Sequence, residues 1–242
     1  MKFLNPLLKV IKYLVFFVFV AAISIQAPYA HKKYIRNIAE KSTVQLYGER
    51  GTGSGSHVSF NDKIVILTNR HVCELADSEG KIIVELYDGS RHKQKVIKKD
   101  EVHDLCIVEA VSGSKGISLA DSAEIGETFY TLGHPRGEKL NIASGEYFAN
   151  ETIQLEKGFE PDGTCKGKIE KVDFFFIQLE LCTAFFESVQ FSTPTYPGNS
   201  GSPIVNKYGK LVAVVFAGNP QIENMGFGVP LNYIKDFLSK NL

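Results

Sequence analysis

The chain has 242 residues, 44% of them hydrophobic and 22% charged, with 27 Lys plus Arg against 27 Asp plus Glu. That length supports a sizeable core, as one large domain or two small ones. A formal net charge of zero, with no long block of one sign, excludes the basic excess of a nucleic-acid binder and the charged tail of a disordered chain.

The first element in chain order is apolar. Lys2, Lys9 and Lys12 precede an unbroken apolar run from Leu14 to Ile23, extended past Ser24 by Ile25. About a dozen apolar residues falls short of the roughly 20 of a spanning helix. It suits the central region of a secretory signal behind a basic lead. Small residues follow at Ala27 and Ala30, although Ile25 and Pro28 occupy the upstream recognition positions. Residues 1–30 therefore read as a signal peptide or a retained N-terminal membrane anchor on an exported chain.

From about residue 35 the pattern changes to short apolar runs broken by turn signals. "STVQLYG" is followed by the Gly/Ser-rich "ERGTGSGSHVSF", then by "DKIVILTN", "KIIVELYDGSRHKQKVI", "HDLCIVEAV", "ETFYTLG", "LNIASGEYFA", "DFFFIQLEL", "SVQFST", "SPIVN", "KLVAVVFAG" and "GFGVP". β-branched and aromatic residues dominate, and Asp88-Gly89 is a hairpin signal. Many short strands with frequent turns predict an all-β barrel or sandwich. The last stretch, "LNYIKDFLSKNL", sets Leu231, Ile234, Phe237 and Leu238 at helical spacing.

Four cysteines, Cys73, Cys106, Cys165 and Cys182, read as disulfides in an exported chain, with three connectivities open. No C-x-x-C pair and no H-E-x-x-H motif is present, so no metal site and no cofactor are expected.

Three segments carry chemistry. "PGNSGSP" spans Pro197 to Pro203 and has the composition of a tight turn. His71 follows the buried-strand pattern Ile64 to Leu67, and Asp104 opens another apolar strand. A serine hydroxyl attacks well at neutral pH only when a base takes its proton, and imidazole is the fitting base. A buried carboxylate fixes the imidazole tautomer. Small residues around the serine let the Gly198 and Ser200 amides converge where an oxyanion develops. Each segment alone is bland; the order His, Asp, Ser makes them a set.

"GTGSGSHV", "ILTNRHV", "HDLCIV", "YTLGHPRGEKLNIASGEY", "PGNSGSPIV" and "GFGVP" together resemble the chymotrypsin-fold serine peptidases, most of all the protease domain of the HtrA/Deg-like family. The resemblance covers roughly residues 40–240. It implies two six-stranded antiparallel β-barrels, roughly residues 35–120 and 121–230 of a protease domain over 31–242, with the active site in the cleft between them and a C-terminal helix at 231–240. It implies a triad of His71, Asp104 and Ser200, and an oxyanion hole at Gly198, Asn199 and Ser200. HtrA-like chains usually continue into a PDZ domain, whereas this sequence ends at Leu242. Asn199 stands where digestive relatives carry an activating Asp, so zymogen activation is not expected.

In this fold the segment after the histidine packs near the start of the aspartate strand, which implies a Cys73–Cys106 bridge and leaves Cys165 for Cys182. The stretch "KGFEPDGTCKGKIEKVDFFFIQLELC" is longer than the family pattern and reads as an elongated hairpin. Pro194, six residues before Ser200, and Thr195 fall at the base of the primary specificity pocket, with walls from Phe216, Ala217 and Gly218 and from "GFGVP". None is acidic, so small or aliphatic side chains are expected before the scissile bond. His103 and His134 read as solvated turn residues, and His31, His57 and His92 join no constellation. The resemblance thus implies an exported serine endopeptidase, periplasmic or extracellular, acting on protein or peptide substrates. Esterase activity and a non-catalytic protein-binding or chaperone-like module on the same fold are the competing readings.

Overall fold

The structure is a computed structural model that describes residues 4–156, 165, 168–174, 177–218, 222 and 224–242, without the side chains of 4–9, 21–27, 153–156, 168, 170, 172–174 and 177–186. Helix α1 (Leu4–Ser42) leads into β1 (Thr43–Gly48), β2 (Gly51–Phe60), β3 (Lys63–Thr68), the single turn α2 (Arg70–Cys73), β4 (Lys81–Glu85), β5 (Arg91–Asp100), β6 (Leu105–Glu109) and β7 (Ile117–Ser118). The second half runs β8 (Thr128–Gly133), β9 (Asn141–Glu156), β10 (Lys168–Phe174), β11 (Ile177–Phe191), β12 (Pro203–Asn206), β13 (Leu211–Gly218), β14 (Gly226–Pro230) and α3 (Leu231–Asn241).

Each half closes on itself. The first sheet has the order β1-β4-β5-β6-β3-β2-β7, and β1 also pairs with β2, which closes a six-stranded antiparallel barrel. The two-residue β7 adds to β2 in parallel outside that ring. The second sheet runs β10-β11-β14-β13-β12-β8-β9, and β11 pairing with β9 closes a second six-stranded barrel. Closure removes the sheet edges that otherwise invite mispairing.

The unbroken apolar runs are explained by strands that are buried on both faces. In β3, Ile66 points into the first barrel while Val65 and Leu67 point to a core shared between the barrels. In β6, Cys106 and Val108 face inward, and Leu105 and Ile107 join the shared core. Successive side chains alternate between faces, so two cores demand apolar residues at every position. β13 is also buried on both faces, with Val212, Ala213 and Val215 in the second barrel and Leu211, Val214 and Phe216 toward the shared core; a bulge at Val212 places two consecutive residues in the barrel. Helix α3 buries Leu231, Ile234, Phe237 and Leu238, the four positions its spacing marks.

One feature differs from the sequence reading and one agrees with it. Residues 35–42 are helical rather than the start of a barrel, because Ile35 and Ala39, one helical turn apart, are buried in the shared core. As an elongated hairpin requires, β11 extends beyond the Val189–Phe191 segment that meets β14: it stays paired with β9 out to Glu156 and Thr183, and then with β10 from Lys168 opposite Thr183 to Phe174 opposite Ile177. Residues 157–164 of the stretch read as an elongated hairpin lie outside the described residues, as does the Cys182 side chain; Cys165 is disulfide-bonded. Among the described residues, no helix is long and apolar enough to cross a membrane.

Candidate active site

β3 and β6 are antiparallel neighbours with Thr68 opposite Cys106, so the end of one lies beside the start of the other. His71 follows the first end in α2, and Asp104 immediately precedes β6. Register alone therefore brings them together. His71 Nδ1 lies 2.8 Å from Asp104 Oδ2, and the His71 backbone N–H donates to Asp104 Oδ1 at 3.1 Å. A carboxylate against Nδ1 assigns the proton to that nitrogen and leaves Nε2 as the free acceptor.

Asp104 is gripped at its main chain too. Its carbonyl accepts from the Arg70 N–H at 3.1 Å and from Asn69 Nδ2 at 3.0 Å. Its φ of +54° is left-handed, a region Asp tolerates better than most residues. Arg70 adds ion pairs to Glu74 and Glu101. Cys73 and Cys106 are joined by a disulfide behind the pair.

The serine turn comes from the second barrel. Tyr196-Pro197-Gly198-Asn199 closes with an Asn199 N–H to Tyr196 carbonyl bond of 3.0 Å, and Gly198 has φ +93°. Pro followed by a positive-φ Gly is the sequence signature of a type II turn. Backbone accounting then isolates two groups. The carbonyls of Pro197, Asn199 and Ser200 accept from the amides of Arg136, Ser202 and Ser54, and the Gly198 carbonyl accepts from the Ser54 hydroxyl. Asn199 and Gly201 spend their N–H groups on Tyr196 and Val215. Among the described residues, the amides of Gly198 and Ser200 donate to nothing. Asn199, grouped with them on sequence grounds, uses its amide to close the turn instead.

The loop sits directly against the end of β3, the strand that leads into the histidine turn. A Cβ at Gly201 would overlap both the Ser54 carbonyl and Thr68 Oγ1, and Thr68 is three residues before His71. Only glycine permits that approach, and its φ of +85° independently favours glycine.

Neither predicted solvated histidine is one. His134 is buried: its N–H donates to Ser54 Oγ at 2.9 Å and its Nδ1 meets the Glu138 carbonyl at 3.0 Å. Burial holds its pKa below the ordinary histidine value. His103 lies 2.8 Å from Asp100 and stacks on Tyr233 of α3 at 4.1 Å. Burial pushes the Asp100 carboxyl up, but bonds from the His103 ring and from the His103 and Val102 amides outweigh it and hold the carboxyl below its usual range. His57, in β2, is fully buried.

Of the pocket residues, Thr195 faces two glycines. A Cβ at Gly226 would overlap Thr195 Oγ1 and lie 2.5 Å from the Phe191 ring; one at Gly218 would lie 3.0 Å from the Thr195 carbonyl. Pro194 and Ala217 are half-buried, and Phe216 turns toward the shared core beside Phe227. Sequence reasoning missed Ser54 and Arg136. The signal for Ser54 was glycine on both sides within a strand, which marks close backbone approach.

Comparison with known proteins identifies the family and the fold. The chain is 28% identical over 224 residues to the Serine protease Do-like HtrA of Bacillus subtilis (strain 168), covering 83% of this chain and 44% of that protein. It is 30% identical over 191 residues to a Serine protease HtrA-like of Staphylococcus aureus (strain COL), covering 76% and 22%. The chain thus spans less than half the length of these relatives. The active form of the Rv3671c protease from M. tuberculosis shares the fold at a TM-score of 0.65, with 20% identity and 86% and 83% of the two chains covered. The serine endoprotease from Yersinia pestis does so at 0.62, with 22% identity and 84% and 65% covered. A family model for the trypsin-like peptidase domain matches residues 53–214, and the chain belongs to that family.

Proposed function

We propose that the chain is a serine endopeptidase whose triad is His71, Asp104 and Ser200. The reading is carried by two observations together: an imidazole held by Asp104, and a serine loop, Pro197–Ser202, in which, among the described residues, the Gly198 and Ser200 amides are unspent. Ser200 Oγ attacks the substrate carbonyl carbon while His71 Nε2 takes its proton. The carbonyl π pair moves to oxygen, and the resulting oxyanion accepts from the two free amides. His71 then protonates the departing amine as the C–N bond breaks, leaving an acyl-enzyme. Water, deprotonated by His71, attacks the ester, and the oxyanion collapses to expel Ser200 Oγ, which recovers its proton from His71. Asp104 keeps its charge throughout and stabilises the imidazolium.

The substrate preference is for small or aliphatic side chains before the scissile bond. Thr195 and Phe191 crowd the face of Gly226, and no acid stands at Pro194 or Thr195 to pair with Arg or Lys. A peptide-library profile dominated by Arg or Lys would refute this. Export is supported by Lys2, Lys9 and Lys12 ahead of an apolar segment whose residues from Val10 to Val20 are exposed, Phe17 at 68%.

Labelling with a fluorophosphonate, with Ser200→Ala as control, tests the central claim. Wild type should label and the variant should not. Labelling that persists in the variant removes Ser200 as nucleophile; a wild type that never labels favours a binding module on the same fold.

A further inference from the structure

Ser54 is a first-barrel residue in β2, opposite Gln45 of β1, and fully buried. All of its polar groups are committed to the catalytic region. Its N–H donates to the Ser200 carbonyl at 2.8 Å, and its own carbonyl accepts from Thr68 Oγ1 at 2.7 Å. Its hydroxyl donates to the Gly198 carbonyl at 2.7 Å and accepts from the His134 N–H at 2.9 Å. A hydroxyl offers one proton and accepts through its lone pairs, and here each capacity is used.

We infer that the Ser54 hydroxyl is a positioning residue for the oxyanion hole, acting through Gly198 and Ser200. The inference rests on the serine-nucleophile reading above. The Gly198–Asn199 peptide lies between the two peptides that carry the donor N–H groups. Rotation of that middle peptide swings both donors out of convergence, and its carbonyl is the group Ser54 holds. The preceding Pro197–Gly198 peptide is held at its carbonyl by the Arg136 N–H at 2.6 Å. Arg136 belongs to the 3₁₀ turn Pro135–Gly137, and its neighbour His134 binds the same Ser54 oxygen. One buried atom therefore sets the turn that grips Pro197 and the turn that carries Ser200 in register with each other. Because β2 also neighbours β3, the same residue ties the oxyanion donors of one barrel to Thr68, at the end of the strand that leads into His71 in the other.

Ser54→Ala keeps the main-chain bonds and removes only the two hydroxyl bonds. Donors that lose convergence weaken the transition state more than bound substrate. In the full chain, kcat should fall on the order of 10- to 100-fold with KM little changed. Fluorophosphonate labelling should slow by a similar factor. Affinity for a peptidyl trifluoromethyl ketone, whose hemiketal oxygen sits in the hole, should drop likewise, while affinity for the matching peptide carboxamide should not. Ser54→Cys, similar in shape but a weak donor and acceptor, should fall between, and it supplies the same readouts if Ser54→Ala does not fold. A wild type that labels, alongside variants that label as fast, overturns the inference alone. So does a rise in KM at unchanged kcat. A wild type that does not label overturns the nucleophile reading and takes this inference with it.

Discussion

Cys73 and Cys106, each two residues downstream of one member of the His71–Asp104 pair, are joined by a disulfide with their Cα atoms 6.5 Å apart. Both are fully buried in the first barrel's core. The bond closes a loop spanning 33 residues, and a cross-link over that length removes roughly 3–4 kcal/mol of chain entropy from the unfolded state. The double variant Cys73→Ala/Cys106→Ala should lose about 2–4 kcal/mol in urea unfolding. Its kcat below the lowered melting point should stay near wild type, because the direct bonds from His71 to Asp104 do not pass through the sulfurs.

Asp104→Asn separates orientation from charge. The amide can still meet the His71 segment, but its nitrogen against Nδ1 favours the wrong tautomer and puts the proton on Nε2. The trypsin-like template, to whose family this chain belongs, gives the scale: kcat should fall about 10⁴-fold with little change in stability. Steady-state kinetics beside a melting curve checks both halves. A loss of folding instead would mean that the left-handed Asp104 serves the fold more than the base.

What the sequence made legible follows from how each feature is encoded. Strands such as β3, β6 and β13 announce themselves because both faces are buried, so every position is apolar. Helix α3 was legible because its four buried residues sit on one stripe. The residues proposed as base and nucleophile, His71 and Ser200, stand out in the sequence as chemical types in a particular chain order. Ser54 was not, since its role depends on a turn 144 residues away and its Gly/Ser surroundings carry no alternation. His134 was misread for a similar reason: "GHPRG" has turn composition, and its burial comes from the serine turn docking onto it. Residues 35–42 gave a weak helical signal because Lys, Arg and Glu surround the few buried positions.

His57 makes stability pH-dependent. Burial lowers its pKa from 6.5 to about 4; Nε2 accepts from the Val111 N–H at 3.3 Å, and Nδ1 lies near the Ser42 backbone without a well-formed bond to it. Below the unfolded value of 6.5 the unfolded chain takes up a proton that the folded chain refuses. Stability is therefore fully present above that pH and declines as pH falls toward about 4. Between pH 7 and pH 5 the decline from this group is about 2 kcal/mol. Buried His134, shifted the same way, adds to it. His57→Gln keeps an acceptor for Val111 and cannot protonate, so its unfolding free energy should vary less between those two pH values. An unchanged slope would locate the acid sensitivity elsewhere.

The N-terminal helix divides into two parts with different consequences for the fold. From His31 onward it is docked: His31 Nε2 lies 3.1 Å from the Tyr130 hydroxyl, Tyr34 donates to the Tyr208 carbonyl at 2.8 Å, and Ile35 and Ala39 are buried in the shared core. Upstream, the described side chains from Val10 to Val20 are exposed and touch no core cluster. A chain lacking residues 1–30 should therefore unfold at the same urea concentration as the full chain. One lacking residues 1–41 loses Ile35, Ile38 and Ala39, and opens a gap in the shared core. A single buried large aliphatic truncated to Ala costs about 2–5 kcal/mol, so this deletion should cost at least that much or leave the protein insoluble. Ile35→Asp in the full chain tests the same contact without deleting anything, since it places an unpaired charge in the shared core. If both altered chains melt with wild type, the helix merely rests on the barrels; if both fall, its docked segment is part of the fold.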